Sequence, residues 1–480
     1  MKVFKSKVLQ NTGIYGTINL LQKGINFLLV PVLTSYLTTY DYGVVAVVTA
    51  INAFLNVFYL LALNGSLNRF YYEYKDDKSK VRELFGTIVT FVFIFSLFLS
   101  VLIFLARSIL LVPFLDNINF YPYMLLGMIS VLFNPIFTIF QNTLQARQEG
   151  KRYGRNNLAF FVTNISLLLI AVILLKLGAR GVLGALAITN GIFFLFTIYH
   201  FSKELKFGIN LNILRQSLRY SLPLVPHSVS GVATSIIDRL FVNNLLSTSL
   251  AGVYNLGSTF GGIVFILASA MNQAFVPWFN ERVKARQIER IPKPAKWIIY
   301  FLSIIALGVS FFGKEVIQLV TPEAYHLAWK VIPFIAFGFV YHGIYYFFSM
   351  PLFYDISGKG SRTLPLFTIS AAALNIILNL VLIDMFGLIG AAISLLLTRF
   401  LLTLALGQTY KRFLSIEYES KTMILVPLLL FLLSLVVFIE ISLIMALVLK
   451  ISLYLGVLYI GFYTHRHEII KITNDILYRR

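Results

Sequence analysis

The sequence has no cysteine, and only 12% of its 480 residues are charged. The first absence excludes disulfides and thiolate metal sites but says nothing of compartment, because membrane packing needs neither. The second, beside 58% hydrophobic residues and a mean hydropathy of +0.82, excludes a soluble globular domain. Acidic residues are scarce as well, 20 against 40 Lys and Arg. In a soluble protein that excess would raise nucleic acid as a partner. In a membrane protein basic cytoplasmic loops set the orientation, so no nucleic acid is implied. No G-x-x-x-x-G-K-[ST] occurs, since Gly358-Lys-Gly-Ser361 has the wrong spacing, and this excludes an ATP drive of the chain's own. No H-E-x-x-H occurs either, and His465-Arg-His467 in the tail is an isolated pair. No cofactor, metal or catalytic residue is expected. The loops predicted to lie outside hold Asp41, Asp116, Glu315, Glu323, Asp384 and Glu440 without a cluster, which argues against glycosyl transfer or polymerisation.

What fills the chain instead is a succession of apolar runs of about 20 residues, each long enough to cross a bilayer as a helix. They predict an all-α integral membrane protein with about fourteen spans. The first six are 12–34, 43–63, 86–106, 123–144, 158–175 and 182–201; the next six are 220–245, 252–275, 297–312, 329–350, 364–383 and 388–409. A tight hairpin, 423–439 and 442–462, closes the set. The loops alternate in charge: the predicted inner side holds 31 Lys and Arg, the outer side five (Arg107, Lys176, Arg180, Lys314, Lys330). That bias predicts both termini on the cytoplasmic side. Met1-Lys-Val-Phe-Lys-Ser-Lys7 reads as the flank of an uncleaved anchor.

Three landmarks recur at one spacing. Tyr42-Gly43 after the first outer turn matches Gly252, Gly150-Lys151 matches Gly358-Lys359, and Gly181-Val-Leu-Gly184-Ala185 matches Gly387-Leu-Ile-Gly390-Ala391. Each repeat holds six spans, an even number, so the halves are parallel repeats about an axis along the membrane normal. The expected units are a first six-helix lobe, 1–205, a second, 206–412, and a terminal hairpin with a cytoplasmic tail, 413–480. Such architecture usually houses a transport pathway between its halves; a duplicated scaffold without transport is the bland reading.

A charge at mid-span costs about 2.5–3.5 kcal/mol on insertion scales, so each needs a cavity or a partner. In the first span Asn19, Gln22, Lys23 and Asn26 follow helical spacing and set a cation on a polar face. Either that face lines a cavity or Lys23 pairs with a carboxylate. In the seventh, Pro223 and Pro226 favour a bend, and beyond it His227, Gly231, Thr234 and Asp238 share a face, with Arg239 about 100° round. Asp238 and Arg239 either line the lumen or neutralise each other. Asp238 and His227 are the candidates for ion coupling, although a histidine at that depth is more often a hydrogen-bonded interfacial group. Spans two and eight carry amide and hydroxyl stripes: Thr49, Asn52, Asn56 and Tyr59, then Asn255, Ser258, Gly262, Ser269 and Asn272. These suit sugar hydroxyls or helix-to-helix glue. Arg69 at the inner mouth could attract an anion. Arg399 and Lys450 fall outside this set, and Lys450 is expected to snorkel to an interface.

With Tyr42-Gly43, Leu222-Pro223-Leu-Val-Pro226, Ile237-Asp238-Arg239-Leu240, Gly252-Val-Tyr254 and Gly387-Leu-Ile-Gly390-Ala391-Ala392 in this order, the whole chain resembles the polysaccharide-unit flippases, the O-antigen (Wzx-type) branch of the multidrug/oligosaccharidyl-lipid/polysaccharide exporter (MOP) superfamily. The resemblance implies two six-helix lobes forming a V that opens alternately to the two sides. It implies a lipid-linked oligosaccharide on undecaprenyl diphosphate as substrate, the bacterial inner membrane as location, and a polysaccharide polymerase and glycosyltransferases as partners. Lys23, Arg239 and Arg69 would then meet the diphosphate, because an anion in a wet lumen needs cations. Related drug exporters typically carry an acidic residue in the first span, where this chain has Lys23. The competing expectations are a multidrug or organic-cation exporter, a lipid II flippase, and a non-transporting scaffold of a polysaccharide assembly complex.

Overall fold

The computed structural model describes the backbone of residues 2–202, 204–355 and 359–477, and within these all side chains except those of residues 2–13, 15, 19, 227, 234, 235, 361, 362, 465 and 467–477. Every long apolar run folds as helix, because in a bilayer each backbone amide must be satisfied within its own segment. The first lobe comprises α1 (Lys2–Tyr36), α2 (Thr39–Leu60), α3 (Leu63–Tyr74), α4 (Lys78–Leu105), α5 (Leu125–Ala146), α6 (Gly150–Leu169) and α7 (Gly178–Ser202). After the linker helix α8 (Leu211–Ser221), the second lobe comprises α9 (Val225–Leu245), α10 (Thr248–Gly261), α11 (Ile263–Lys284), α12 (Pro292–Val320), α13 (Ile332–Tyr354), α14 (Lys359–Phe386) and α15 (Leu388–Thr409). The terminal pair is α16 (Ser420–Ser434) and α17 (Leu443–Leu477), the latter running on past the predicted end of its span. Thirteen helical segments among the described residues are long and apolar enough to cross a membrane. Outside that set α9, which carries Pro226, Asp238 and Arg239, lies among spans, against α2, α14 and α15.

One predicted span ends at a turn into a further helix, and another is built from two helices. The second turns through Leu61 and Ala62, both left-handed at φ 45° and 54°, before resuming as α3. The eighth breaks at Gly262 between α10 and α11. The seventh begins later than predicted: Pro223 sits in a three-residue 3₁₀ turn, Leu222–Leu224, and Pro226 in the first turn of α9, where a missing amide donor costs nothing.

The internal repeat is legible in the packing. α1 lies on α6 as α9 lies on α14; α5 on α7 as α13 on α15; α4 on α5 as α12 on α13; and α2 on α5 as α10 on α13. The terminal pair packs on the second lobe, α16 against α12 and α13 and α17 against α12. Lys450 of α17 does not snorkel as expected. It is buried, 4% exposed at the side chain, and pairs with Glu315 of α12 at 2.6 Å. A buried ammonium is compensated by the carboxylate instead.

The linker belongs mechanically to the first lobe. Lys206 N–H donates to the Arg82 carbonyl at 3.2 Å and Asn210 N–H to Thr87 Oγ1 at 3.1 Å. Tyr74 Oη donates to Gln216 at 3.1 Å, and the Arg69 guanidinium lies 4.8 Å above the Tyr220 ring. Glu204 pairs with Arg147, after α5, and with Arg152 of α6 at 3.1 Å. Burial pushes its carboxyl up, but the two guanidinium groups outweigh that and hold it below the usual range. The chain therefore crosses from one lobe to the other at Leu222–Leu224.

Candidate functional site

The lobes meet at the end of the bundle that bears the α1–α2 and α9–α10 turns. There α2 and α10 cross at Gly43 and Gly252, and Tyr325 Oη donates to the Leu37 carbonyl at 2.9 Å. The Tyr42 ring meets Tyr325 edge-on at 5.8 Å, and the Asn244 amide donates to the Pro113 carbonyl at 2.7 Å. Farther from that end, Phe27 of α1 meets Phe260 at 5.0 Å, and Lys23 Nζ lies 5.9 Å from the centre of the Phe265 ring of α11.

Phe265 is one wall of a cavity of about 510 Å³ enclosed by α9, α10, α11, α13, α14 and α15 of the second lobe. Asp238 and Arg239 line it from α9, Tyr254 and Ser258 from α10, His342, Tyr345 and Tyr346 from α13, Thr368 from α14 and Arg399 from α15. Asp238 is buried and fully engaged by neutral donors. Asn379 Nδ2 donates to it at 2.8 Å, Asn375 Nδ2 at 3.3 Å and Tyr254 Oη at 3.3 Å. Asn375 also donates to Thr398 Oγ1 at 3.4 Å. The amide oxygens of Asn375 and Asn379 are buried without a hydrogen-bond partner. A carboxylate, two unpaired amide oxygens and a hydroxyl thus lie in one buried cluster. Among the described residues no three His, Asp or Glu side chains gather as a metal site.

Arg399 is 8% exposed, and its Nη1 donates to His342 Nδ1 at 2.7 Å. Arg239 lies half-buried in the field of Tyr254, Asp238 and Tyr42. Among the described residues no carboxylate stands within ion-pairing distance of either guanidinium. Sequence reasoning set Arg399 apart from this group, yet the fold brings it to the same cavity as Arg239. It also missed His342, Asn375, Asn379 and Thr398. The spacing of Asn375 and Asn379, one helical turn apart in an apolar run, was the available signal.

The remaining predicted residues scatter. Gln22 Nε2 donates to the Asn157 carbonyl of α6 at 3.2 Å, and Asn26 is exposed. Asn52 is buried inside the first lobe, where its amide faces Gly127 of α5 and has no hydrogen-bond partner. Asn56 is half-buried, with its amide oxygen unpaired. Asn255 and Asn272 are half-buried on α10 and α11. Arg69 is exposed above Tyr220. The side chains of Asn19, His227 and Thr234 lie outside the described residues.

A family model described as polysaccharide biosynthesis protein matches residues 8–283, more than half of the chain. The chain belongs to that family. Among curated relatives it is 23% identical over 314 residues to protein 1 of the Lsg locus of Haemophilus influenzae, covering 64% of this chain and 73% of that one. An uncharacterized membrane protein of Methanocaldococcus jannaschii is 24% identical over 251 residues, 48% of this chain and 58% of that one. In fold, this member of the polysaccharide biosynthesis family is similar to the lipid II flippase MurJ in its inward closed conformation, with a TM-score of 0.67 at 16% identity over 90% of this chain and 98% of that one. An inward-facing multidrug MATE transporter of the MOP superfamily gives 0.60 at 16% identity over 83% and 95%. The family model and the shared fold thus place a polysaccharide biosynthesis family member on the fold of these membrane transporters.

Proposed function

We propose that the protein carries a lipid-linked oligosaccharide, a glycan on undecaprenyl diphosphate, across the bacterial inner membrane by alternating access, for cell-surface polysaccharide synthesis. The observation that carries this reading is a pair of cations on apolar helices that have no carboxylate partner among the described residues: Arg239, lining the second-lobe cavity, and Lys23 of the first lobe, exposed beside Phe265 of the cavity wall. An anionic diphosphate arriving at the lobe boundary repays the cost of placing those charges in the bilayer. Arg69, at the end bearing the basic loops, draws the anion in, and the Asn and Ser faces of the second and eighth spans meet the sugars. The lipid tail stays in the bilayer. Both termini face the cytoplasm, where the basic loops lie, and a polymerase and glycosyltransferases act before and after transport. Membership of the polysaccharide biosynthesis family supports the glycan. The fold shared with a lipid II flippase supports a lipid-linked cargo.

Asp238 is the coupling site in this reading, for a proton or for sodium, with His227 the second candidate. The unpaired amide oxygens of Asn375 and Asn379 beside Asp238 favour sodium. Asp238→Asn then retains binding of the glycolipid but loses the dependence of transport on the sodium gradient. Unchanged gradient dependence removes Asp238 from coupling.

The substrate class is tested by stability in detergent. Undecaprenyl-diphosphate oligosaccharide raises the melting temperature of the purified protein, and Lys23→Ala and Arg239→Ala each reduce that rise. A rise with organic cations, unaffected or improved by Lys23→Ala, would assign the protein to drug export instead.

A further inference from the structure

We propose that the gap between α12 and the turn joining α16 to α17 is a site for the head group of a membrane phospholipid with a primary ammonium, a phosphatidylethanolamine. The lipid is a resident of the fold and not its cargo, so the proposal does not depend on what the protein transports. Three observations carry it.

The first is an unmet acceptor. A cavity of about 190 Å³ is lined by Lys314, Glu315 and Gln318 of α12, by Ile439 of the turn and by Leu443 and Lys450 of α17, among others. Lys450 Nζ donates to Glu315 Oε1 at 2.6 Å, while Glu315 Oε2 is buried without a hydrogen-bond partner. A carboxylate oxygen withdrawn from water is costly unless a donor meets it. A primary ammonium brings three N–H donors, whereas an ionised phosphate brings acceptors only.

The second is a cation beside that acceptor. Lys314 Nζ lies 5.3 Å from the centre of the Trp329 ring, and Trp329 meets Phe438 at 5.1 Å. Among the described residues no carboxylate stands within ion-pairing distance of Lys314. One cavity thus offers an ammonium and a free carboxylate oxygen from adjacent residues of one helix. That is the complement of a phosphate and an ammonium two carbons apart, each met by a charge-assisted contact. Lys314 is only half-buried, so water screens its charge, and the stronger demand is that of the buried oxygen. This favours a zwitterion over a purely anionic head group.

The third is depth and wall. Glu315 lies five residues before Val320, the end of α12, about 7–8 Å along the helix axis. This is the end of the bundle that bears the α1–α2 turn, which Tyr325 joins through Leu37. Tryptophan beside lysine is the pairing expected at the level of the head groups. Ile439 and Leu443 at the mouth, and Leu319 next to it, are exposed and leave an apolar surface for acyl chains. The volume is below the range of about 300–1,000 Å³ usual for ligand pockets, which admits a small head group and excludes a glycan.

The test is native mass spectrometry of the full-length protein, delipidated and offered equal amounts of phosphatidylethanolamine, phosphatidylcholine and phosphatidylglycerol. Phosphatidylethanolamine is retained about tenfold over phosphatidylcholine, whose quaternary ammonium has no N–H to give; this is the ratio one charge-assisted hydrogen bond supplies. Glu315→Gln combined with Lys450→Met removes the carboxylate without stranding the lysine, and abolishes the preference. Lys314→Gln lowers retention of both lipids and leaves the preference in place. Should the double variant fail to fold, Leu443→Trp, which fills the cavity from an exposed position at its mouth, displaces phosphatidylethanolamine instead. Equal retention of the ethanolamine and choline lipids, or a preference unchanged in the folded double variant or in Leu443→Trp, overturns the site. Phosphatidylglycerol retained above phosphatidylethanolamine also overturns it and makes the cavity an anion site. Displacement of the lipid by an equal concentration of glycerophosphoethanolamine, the head group without its chains, would give the cavity to a soluble phosphoamine and overturn the lipid.

Discussion

Gly43 and Gly252, 209 positions apart in the chain, pack against each other where the two lobes cross. A Cβ on Gly252 would stand 2.8 Å from the Gly43 nitrogen and 3.2 Å from its Cα, and one on Gly43 would fall on the Thr248 carbonyl. The two landmarks that reveal the repeat in the sequence are thus the same two residues through which the repeats touch. Small residues let helix backbones approach this closely in a membrane, where packing rather than the hydrophobic effect drives association. Gly43→Val and Gly252→Val push the lobes apart at this end. Spin labels at 40 and 247, across the contact, then report a longer distance in either variant, whereas Gly184→Val, at a position with open space around it, leaves the distance unchanged.

The pair Lys450–Glu315 fastens the terminal helix to the second lobe. Breaking a buried pair by removing one partner leaves an uncompensated charge and costs about 3–5 kcal/mol, whereas replacing both can be close to neutral. Lys450→Met therefore lowers thermal stability strongly, and Lys450→Met with Glu315→Gln recovers most of it. A double variant as unstable as the single one would show that the contact does not work through charge.

Glu204 couples the linker to the first lobe through Arg147 and Arg152. Its carboxyl is held below the unfolded value of about 4.3, so its contribution is fully present above that value and is lost as pH falls through the folded one. Glu204→Gln removes about 1 kcal/mol at pH 7, the scale of a partly exposed charge-assisted contact. The gap between wild type and variant narrows as melting is followed from pH 7 into the acid range, through and below the folded value. A gap that persists at the acid end would contradict the ionic account.

The span count and the two parallel repeats are legible in the sequence because each depends on runs of about 20 residues and on recurrent glycine turns. The break at Gly262 is not, since the apolar composition continues across it. Lys23 and Arg239 stand out as cations in apolar helices. Arg399 stands out equally, but its place beside Arg239 depends on how α15 and α9 pack in space, which a linear pattern does not contain. Asn52 illustrates the reverse case: its spacing suits a polar stripe, yet the fold buries it against Gly127. The Asp238 cluster was half legible, because an acid mid-span is conspicuous while the amides that surround it resemble ordinary interhelical glue.

The most direct test of the central claim is translocation itself. Wild-type protein reconstituted in liposomes is given a fluorescent undecaprenyl-diphosphate oligosaccharide, and the fraction reaching the opposite leaflet is compared with Lys23→Ala and Arg239→Ala. The account predicts protein-dependent flipping that either substitution lowers at least about tenfold, the worth of one charge-assisted contact, with folding intact. Flipping indifferent to both substitutions, or none by wild type under any ion gradient or membrane potential, would contradict it.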